Sequence, residues 1–284
     1  MLLTSLATIA GFSILSKAYW NTFRPEYKQI DIEFQPTRKF NGELKILHLT
    51  DIHIEKLSVK PEKVLELVKD EEIDFIALTG DYLDRVQSID RFIDFMKIIM
   101  KIPTKYGVYA VWGNHDWIVA DHLPEIQKKL EALGVVVLSN ETHVIEENDF
   151  GVPLQLIGID DRYSGHADVE ASFRNVTDEG IRIILTHDPL VVKDIEQSFD
   201  YLICGHFHSG QIYYPLPVHS LKMGLKPFKK YLCGLQEHEH GPYYISGGLG
   251  QTGANLRLGC RPEVTMHILK GSHSELKLKA KVVA

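Results

Sequence analysis

An α/β fold is predicted for this 284-residue chain by two recurring observations. Apolar runs of strand length alternate with segments of helical periodicity, the pattern of a sheet with helices packed on its faces. Five of those runs end in Asp, Asn or His, residue types that bind metal ions, and the strand ends of open α/β sheets are where ligands sit. Gly80, Gly113 and Gly205 fall at three of these ends, where the backbone must turn sharply.

The first element stands apart. Met1 to Ser16 carries no charged side chain, and Lys17, Tyr19, Trp20 and Arg24 follow as a basic and aromatic flank. This composition predicts an N-terminal membrane anchor over residues 1–24, marginal against the roughly 20 residues a full span needs. The positive charges lie after the apolar run, which places the catalytic domain at the cell membrane on its cytoplasmic side. A cleaved signal peptide, with Ser16-Lys17-Ala18 as its small-x-small site, and an ordinary buried helix are the alternatives. Residues 25–43 read as a connector whose alternating Ile30, Ile32 and Phe34 form an edge strand. No Pro/Ser-rich linker interrupts the remainder, so residues 44–284 are expected to form one catalytic domain.

Within that domain, Leu44 to Thr50 is a strand that stops at Asp51-Ile52-His53. Residues two apart in an extended segment point the same way, so Asp51 and His53 can share one metal. Pro61 to Glu72 has helical spacing and a proline suited to a first turn. Asp74 to Thr79 runs into Gly80-Asp81-Tyr82-Leu83-Asp84, and Ile89 to Ile102 is an amphipathic helix whose methionines pack in the core. Val108 to Trp112 ends in Gly113-Asn114-His115-Asp116, where Asn114 offers an oxygen to a hard cation and His115 can move a proton near neutral pH. Leu123 to Leu133 is a helix, and Val135 to Leu138 and Leu154 to Ile159 are strands. Ile181 to Thr186 runs into His187-Asp188-Pro189, and Tyr201 to Cys204 into Gly205-His206-Phe207-His208.

Each of these groups alone has an ordinary explanation as a turn or a solvated pair. Together they supply two Asp, one Asn and four His at run ends with no Cys, an inventory suited to two divalent ions bridged by a carboxylate. The oxygens favour Mn²⁺, and the imidazoles admit Fe or Zn. A net charge of -7 argues against nucleic acid as a partner. The three cysteines are too few and too widely spaced for a disulfide framework or a thiolate metal site.

Asp51-x-His53, Gly80-Asp81-x-x-Asp84, Gly113-Asn114-His115-Asp116, His187 and Gly205-His206-x-His208 resemble, in order and spacing, the calcineurin-like metallophosphoesterases, over roughly Leu44 to Leu269. Ser209-Gly210-Gln211-Ile212 and Gly259-Cys260-Arg261-Pro262-Glu263 are similar to the membrane-associated bacterial branch of YkuE-type and YaeI-type enzymes and the UDP-2,3-diacylglucosamine pyrophosphatases. Phe207 and Ser209 depart from that branch, and Asp116 stands where Glu is common elsewhere in the superfamily. The resemblance implies a four-layer sandwich of two mixed β-sheets flanked by helices. It also implies one metal held by Asp51, His53, Asp81 and His208, and a second held by Asp81, Asn114, His187 and His206, with Asp81 bridging. His115 would protonate the leaving oxygen, and Asp84 would orient it. The implied activity is hydrolysis of phosphodiester or pyrophosphate bonds. The alternatives are a phosphodiesterase of soluble substrates and a non-catalytic module on the same fold.

Substrate features are sparser. Leu216 to Leu232 interleaves Lys222, Lys226, Lys229 and Lys230 with Leu221, Met223, Leu225 and Phe228, a pattern suited to a membrane surface or a lipid-linked substrate, or to a lid with solvated lysines. Gly247-Gly248-Leu249-Gly250 is either a phosphate cradle or a tight turn. Arg257 and Arg261 are candidates for contacting a phosphate or head group.

Overall fold

A computed structural model describes residues 2–34, 42–213, 232–271 and 277–283. In chain order the elements are helix α1 (Leu2–Asn21), strands β1 (Glu26–Phe34) and β2 (Glu43–Leu49), helix α2 (Pro61–Val68), strand β3 (Phe75–Thr79), helix α3 (Ile89–Ile99), strand β4 (Val108–Val111), helix α4 (Leu123–Glu131) and strands β5 (Val135–Val137), β6 (Glu141–Ile145) and β7 (Leu154–Gly158). Helix α5 (Val169–Phe173) follows, then strands β8 (Ile181–Leu185), β9 (Tyr201–Cys204), β10 (Gly234–Gln236), β11 (Tyr243–Ile245), β12 (Glu263–Gly271) and β13 (Lys277–Val283).

The strands form a seven-stranded sheet of order β13-β1-β12-β2-β3-β4-β5 and a six-stranded sheet of order β10-β11-β9-β8-β7-β6. Both are mixed: β2 to β5 run parallel, as do β7, β8, β9 and β11, with antiparallel neighbours β12 beside the first run and β6 and β10 beside the second. The two-residue period of a strand accounts for the layers. On β3, Phe75 and Ala77 enter a core between the sheets with Leu154, Leu156, Ile183 and Tyr201. The alternating Ile76 and Leu78 face outward onto Val64, Phe92, Met96 and Leu130 from α2, α3 and α4. The second sheet repeats this with Ile157, Ile184 and Leu202 packed on Phe173 and Val191. Helix, sheet, sheet, helix is the four-layer sandwich expected. Because strands such as β3 are buried on both faces, they read in sequence as unbroken apolar runs.

Helix α3 buries Ile89, Phe92, Ile93, Met96 and Ile99 at the spacing of one helical face. It stops three residues short of the expected end, and Met100 to Ile102 continue as turns because Pro103 disfavours helix in the residue before it. Strand β1 corrects the expectation of an edge strand: it lies between β12 and β13, parallel to the first and antiparallel to the second. The C-terminal strand occupies the edge instead, and its Lys-rich alternation carries little apolar signal.

The N-terminal anchor is also corrected. Among the described residues no helix is long and apolar enough to cross a membrane, and the cytoplasmic orientation derived from the anchor goes with it. Helix α1 spans 20 residues and carries Gly11, Ser13, Ser16, Lys17 and Asn21 along its length. It is not a buried helix either, since Phe12 is 73% and Trp20 68% exposed. Its last turn is tied down: Arg257 N–H donates to the Ala18 carbonyl at 2.9 Å, and Asn21 Nδ2 donates to the Arg257 carbonyl at 2.9 Å. The lysine-rich segment carrying Lys222, Lys226, Lys229 and Lys230 lies outside the described residues.

Candidate metal centre

Parallel pairing sends the ends of β2, β3 and β4 in one sheet, and of β8 and β9 in the other, to a common rim. Two groups of candidate ligand atoms gather there, each with all atoms within 4.8 Å of one another: Asp51, His53, Asp81 and His208 in the first, and Asp81, His187 and His206 in the second, with His53, Asp84 and His115 forming a further such group beside them. Asp81 belongs to the first and the second. Its Oδ2 lies 3.4 Å from His53 Nε2 and 3.1 Å from His187 Nε2, while its Oδ1 accepts the His115 N–H at 2.8 Å. In the first group His208 Nε2 is 3.2 Å from Asp51 Oδ1 and from His53 Nε2. In the second, His206 Nδ1 is 3.2 Å from His187 Nε2. The Asn114 side-chain oxygen is buried without a hydrogen-bond partner, a costly state for an amide that a cation would relieve.

The backbone is bent to converge these side chains. Asp51, His53, Asp81, His206 and His208 all have positive φ, a conformation that costs non-glycine residues free energy and persists where the surroundings enforce it. Close approach enforces it here: a Cβ on Gly113 would collide with Asp81 Oδ1, and one on Gly205 with Asp51 Oδ2 and Thr50 Oγ1. Gly205→Ala is therefore expected to lose about 1–3 kcal/mol of stability through overpacking and to lower bound metal, and a purified variant with wild-type metal content and melting temperature would contradict this.

Asp116 braces the loops. Its carboxylate accepts the N–H groups of Asp81 at 2.9 Å, Tyr82 at 2.8 Å and Gly113 at 2.8 Å, joining the turn after β3 to the turn after β4. Burial, with the neighbouring Asp81 charge, pushes its pKa up to about 7 against those hydrogen bonds. The substitution of Asp for Glu thus bears on loop geometry. Phe207 is buried in the outer core of the second sheet.

Hydrogen bonds also set the imidazole tautomers. His187 Nδ1 lies 2.7 Å from the Thr79 carbonyl, which only accepts, so Nδ1 carries the proton and Nε2 is left with a lone pair that could ligate a metal. His53 Nδ1 faces Asp84 Oδ1 at 3.1 Å, which leaves its Nε2 towards Asp81 and His208. His115 Nδ1 contacts the same Asp84 oxygen at 2.9 Å. Burial disfavours charge on His53, but its bonds to Asp81 and Asp84 outweigh this and raise its pKa to about 10. His187 is raised in the same way by the Asp81 charge. Asp81 is held well below the usual carboxylate range despite burial, by His187 and His53, whereas burial pushes Asp51 up. A pair of buried carboxylates among four imidazoles, with backbone N–H groups of His115 and His206 as further donors, is a cluster that divalent cations satisfy, and a ligating imidazole is then neutral.

Arg257 and Arg261, the candidates for phosphate contacts, both have protein partners in this structure. Arg257 is fully buried and donates to the carbonyls of His208, Gly247 and Gly248, so its guanidinium is spent on backbone. Arg261 Nε bonds Glu26 Oε1 at 2.6 Å and lines a cavity of about 530 Å³ beside Ile14 and Lys17 of α1. The 247–250 glycines form a tight turn against Asp51, with a Cβ on Gly248 falling 2.6 Å from Asp51 Cβ. Two residues near the site carry no sequence signal. Glu55 Oε1 accepts the Asp84 and Arg85 N–H groups, each at 3.0 Å, and Tyr163, 67% exposed, sets its ring 5.5 Å from that of His206.

Residues 44–210 match the family model described as calcineurin-like phosphoesterase. The chain is 41% identical over 268 residues to the uncharacterized metallophosphoesterase YkoQ of Bacillus subtilis, covering 94% of this chain and 98% of that protein. It is 32% identical over 237 residues to phosphodiesterase YaeI of Escherichia coli, covering 78% and 80%. With the uncharacterized metallophosphoesterase YkuE of Bacillus subtilis it shares 26% identity over 240 residues, 82% of this chain and 81% of that one.

Proposed function

The chain belongs to the calcineurin-like phosphoesterase family and is a metal-dependent phosphoesterase, and we propose that it hydrolyses phosphodiester or pyrophosphate bonds at a two-metal centre. Asp51, His53, Asp81 and His208 would hold one ion, and Asp81, Asn114, His187 and His206 the other. When bound, two such ions acidify water and neutralise charge on the phosphoryl oxygens. The observation that carries this reading is the place of Asp81 in both ligand groups, and the unpartnered Asn114 oxygen supports it. Mn²⁺ is the proposed activating ion, on the strength of the three oxygen-donor side chains, with Fe or Zn next.

The chain's own groups handle the proton. His115 is partly exposed beside the ligands, and its Nδ1 contact with Asp84 leaves Nε2 for the substrate. Burial opposes charge on this ring, but Asp84 and the Asp81 charge outweigh it and raise its pKa, keeping a proton ready for the leaving oxygen. Asp84 in turn is held low by His115 and His53 in spite of its burial, so it stays an acceptor and fixes the ring. Chelator-stripped protein is expected to be inactive on a chromogenic phosphodiester and to recover turnover with Mn²⁺. Protein that takes up two ions yet cleaves no diester or pyrophosphate would overturn the reading.

A lipid-linked substrate such as UDP-2,3-diacylglucosamine is the finer proposal. It is supported by the apolar and lysine-rich residues 216–232 that follow His208 in sequence, since lysines attract anionic head groups and apolar side chains accommodate acyl chains. A competition among a lipid-linked pyrophosphate, a cyclic nucleotide and a simple soluble diester tests it, with the first expected to have the highest kcat/KM. Preference for either soluble compound would leave only the phosphoesterase assignment.

A further inference from the structure

We propose that Arg257 is a positioning residue for one of the two metal sites, that of Asp51, His53, Asp81 and His208, and that α1 holds it in place; the inference rests on the dimetal reading above. Among the described residues, Arg257 has the largest fully buried side chain. A buried guanidinium calls for acceptors, and here backbone carbonyls meet Nη1 and Nη2, while Nε has no hydrogen-bond partner among the described residues. Nη1 donates to Gly247 O at 2.7 Å, His208 O at 3.3 Å and Arg261 O at 3.4 Å, and Nη2 to Gly248 O at 3.0 Å and to Gly250 O.

Four of those five carbonyls belong to two segments that enclose the first ligand group. His208 supplies a ligand atom itself, from a backbone with φ 48°, and that strained turn needs an external hold. The 247–250 turn packs on Asp51: Leu249 N–H donates to Thr50 O at 2.9 Å and Gly250 N–H to Asp51 O at 2.6 Å. One planar, five-donor fork therefore fixes the spacing between the His208 and Asp51 backbones, a task for which a lysine's point charge is less suited. Among the described residues the guanidinium makes no hydrogen bond to Asn114, His187 or His206, which distinguish the second site. At its main chain, Arg257 is bonded on both sides by α1, through Ala18 O and Asn21 Nδ2.

The test titrates chelator-stripped full-length protein with Mn²⁺ alone, by calorimetry and by Mn²⁺ paramagnetic resonance, alongside melting curves. Wild type is expected to bind two ions. Arg257→Lys should weaken one of them by about 10- to 100-fold, the usual cost of losing a group that orients a ligand, and leave the other within about two-fold. The weakened site should be the one that His208→Ala removes. Asn21→Ala, which deletes a single peripheral hydrogen bond and serves if Arg257→Lys fails to fold, should weaken the same site by a smaller factor. Wild-type constants for both sites in both variants would overturn the inference, as would equal weakening of both sites together with a lowered melting temperature. Wild type that binds fewer than two ions would overturn the dimetal reading, and with it the assignment of Arg257 to one site of two.

Discussion

Asp81→Asn is expected to abolish hydrolysis and to lower bound metal at both sites together. The substitution keeps the shape of a residue that is 2% exposed and boxed in by Gly113, so the fold should survive. What it removes is the charge. Asp81 Oδ2 lies between His53 Nε2 and His187 Nε2 at 3.4 and 3.1 Å, one ring from each ligand group, and a neutral amide oxygen is a much weaker bridge between two dications. Asn114→Ala makes the contrast, because Asn114 is assigned to one site alone and its loss should leave the other ion bound. Metal analysis of purified protein, with circular dichroism to establish folding, reads both. Two full equivalents of metal and wild-type turnover in Asp81→Asn would sink the bridging role.

His115→Ala should retain both ions and lose about 10²- to 10⁴-fold in kcat, the typical worth of a positioned general acid. The ring is outside the two ligand groups that share Asp81, and its one strong tie is Asp84 at 2.9 Å, so removing it disturbs the proton and not the metals. The sign of the pH dependence follows from the raised pKa. A general acid works while protonated, so activity is retained below that pKa and falls as pH rises through it. Asp84→Asn removes the partner that stabilises the imidazolium, so the basic limb should move to lower pH. The loss in His115→Ala should shrink for a nitrophenolate leaving group, which departs without a proton. Equal losses for good and poor leaving groups, or an unmoved basic limb in Asp84→Asn, would count against the acid role.

The ligand residues were legible in the sequence because each closes an apolar run, and a buried parallel strand announces itself by composition. Asp51, Asp81, Asn114, His187 and His206 could be picked out one by one for that reason, and the resemblance of the whole series to a known family supplied their grouping. Helix ends were less legible. The apolar period of α3 continues to Ile102, but Pro103 decides where the hydrogen bonding stops.

What the sequence alone determined, then, is local: which segments are strands, which residues end them, and which chemistry those residues favour. Tertiary structure decided everything that depends on contact between distant segments. Strand β13 makes β1 an interior strand through pairing that two weakly patterned segments, some 250 residues apart, do not advertise singly. Arg257 looked like a phosphate ligand because guanidinium groups bind phosphate, yet five carbonyls brought round it by the fold claim its donors first. Helix α1 reads in sequence as an anchor, yet among the described residues no helix is long and apolar enough to cross a membrane; its last turn is hydrogen-bonded to the main chain of that same arginine. A side chain's type limits what it can bind, and only its neighbours in space decide what it does bind.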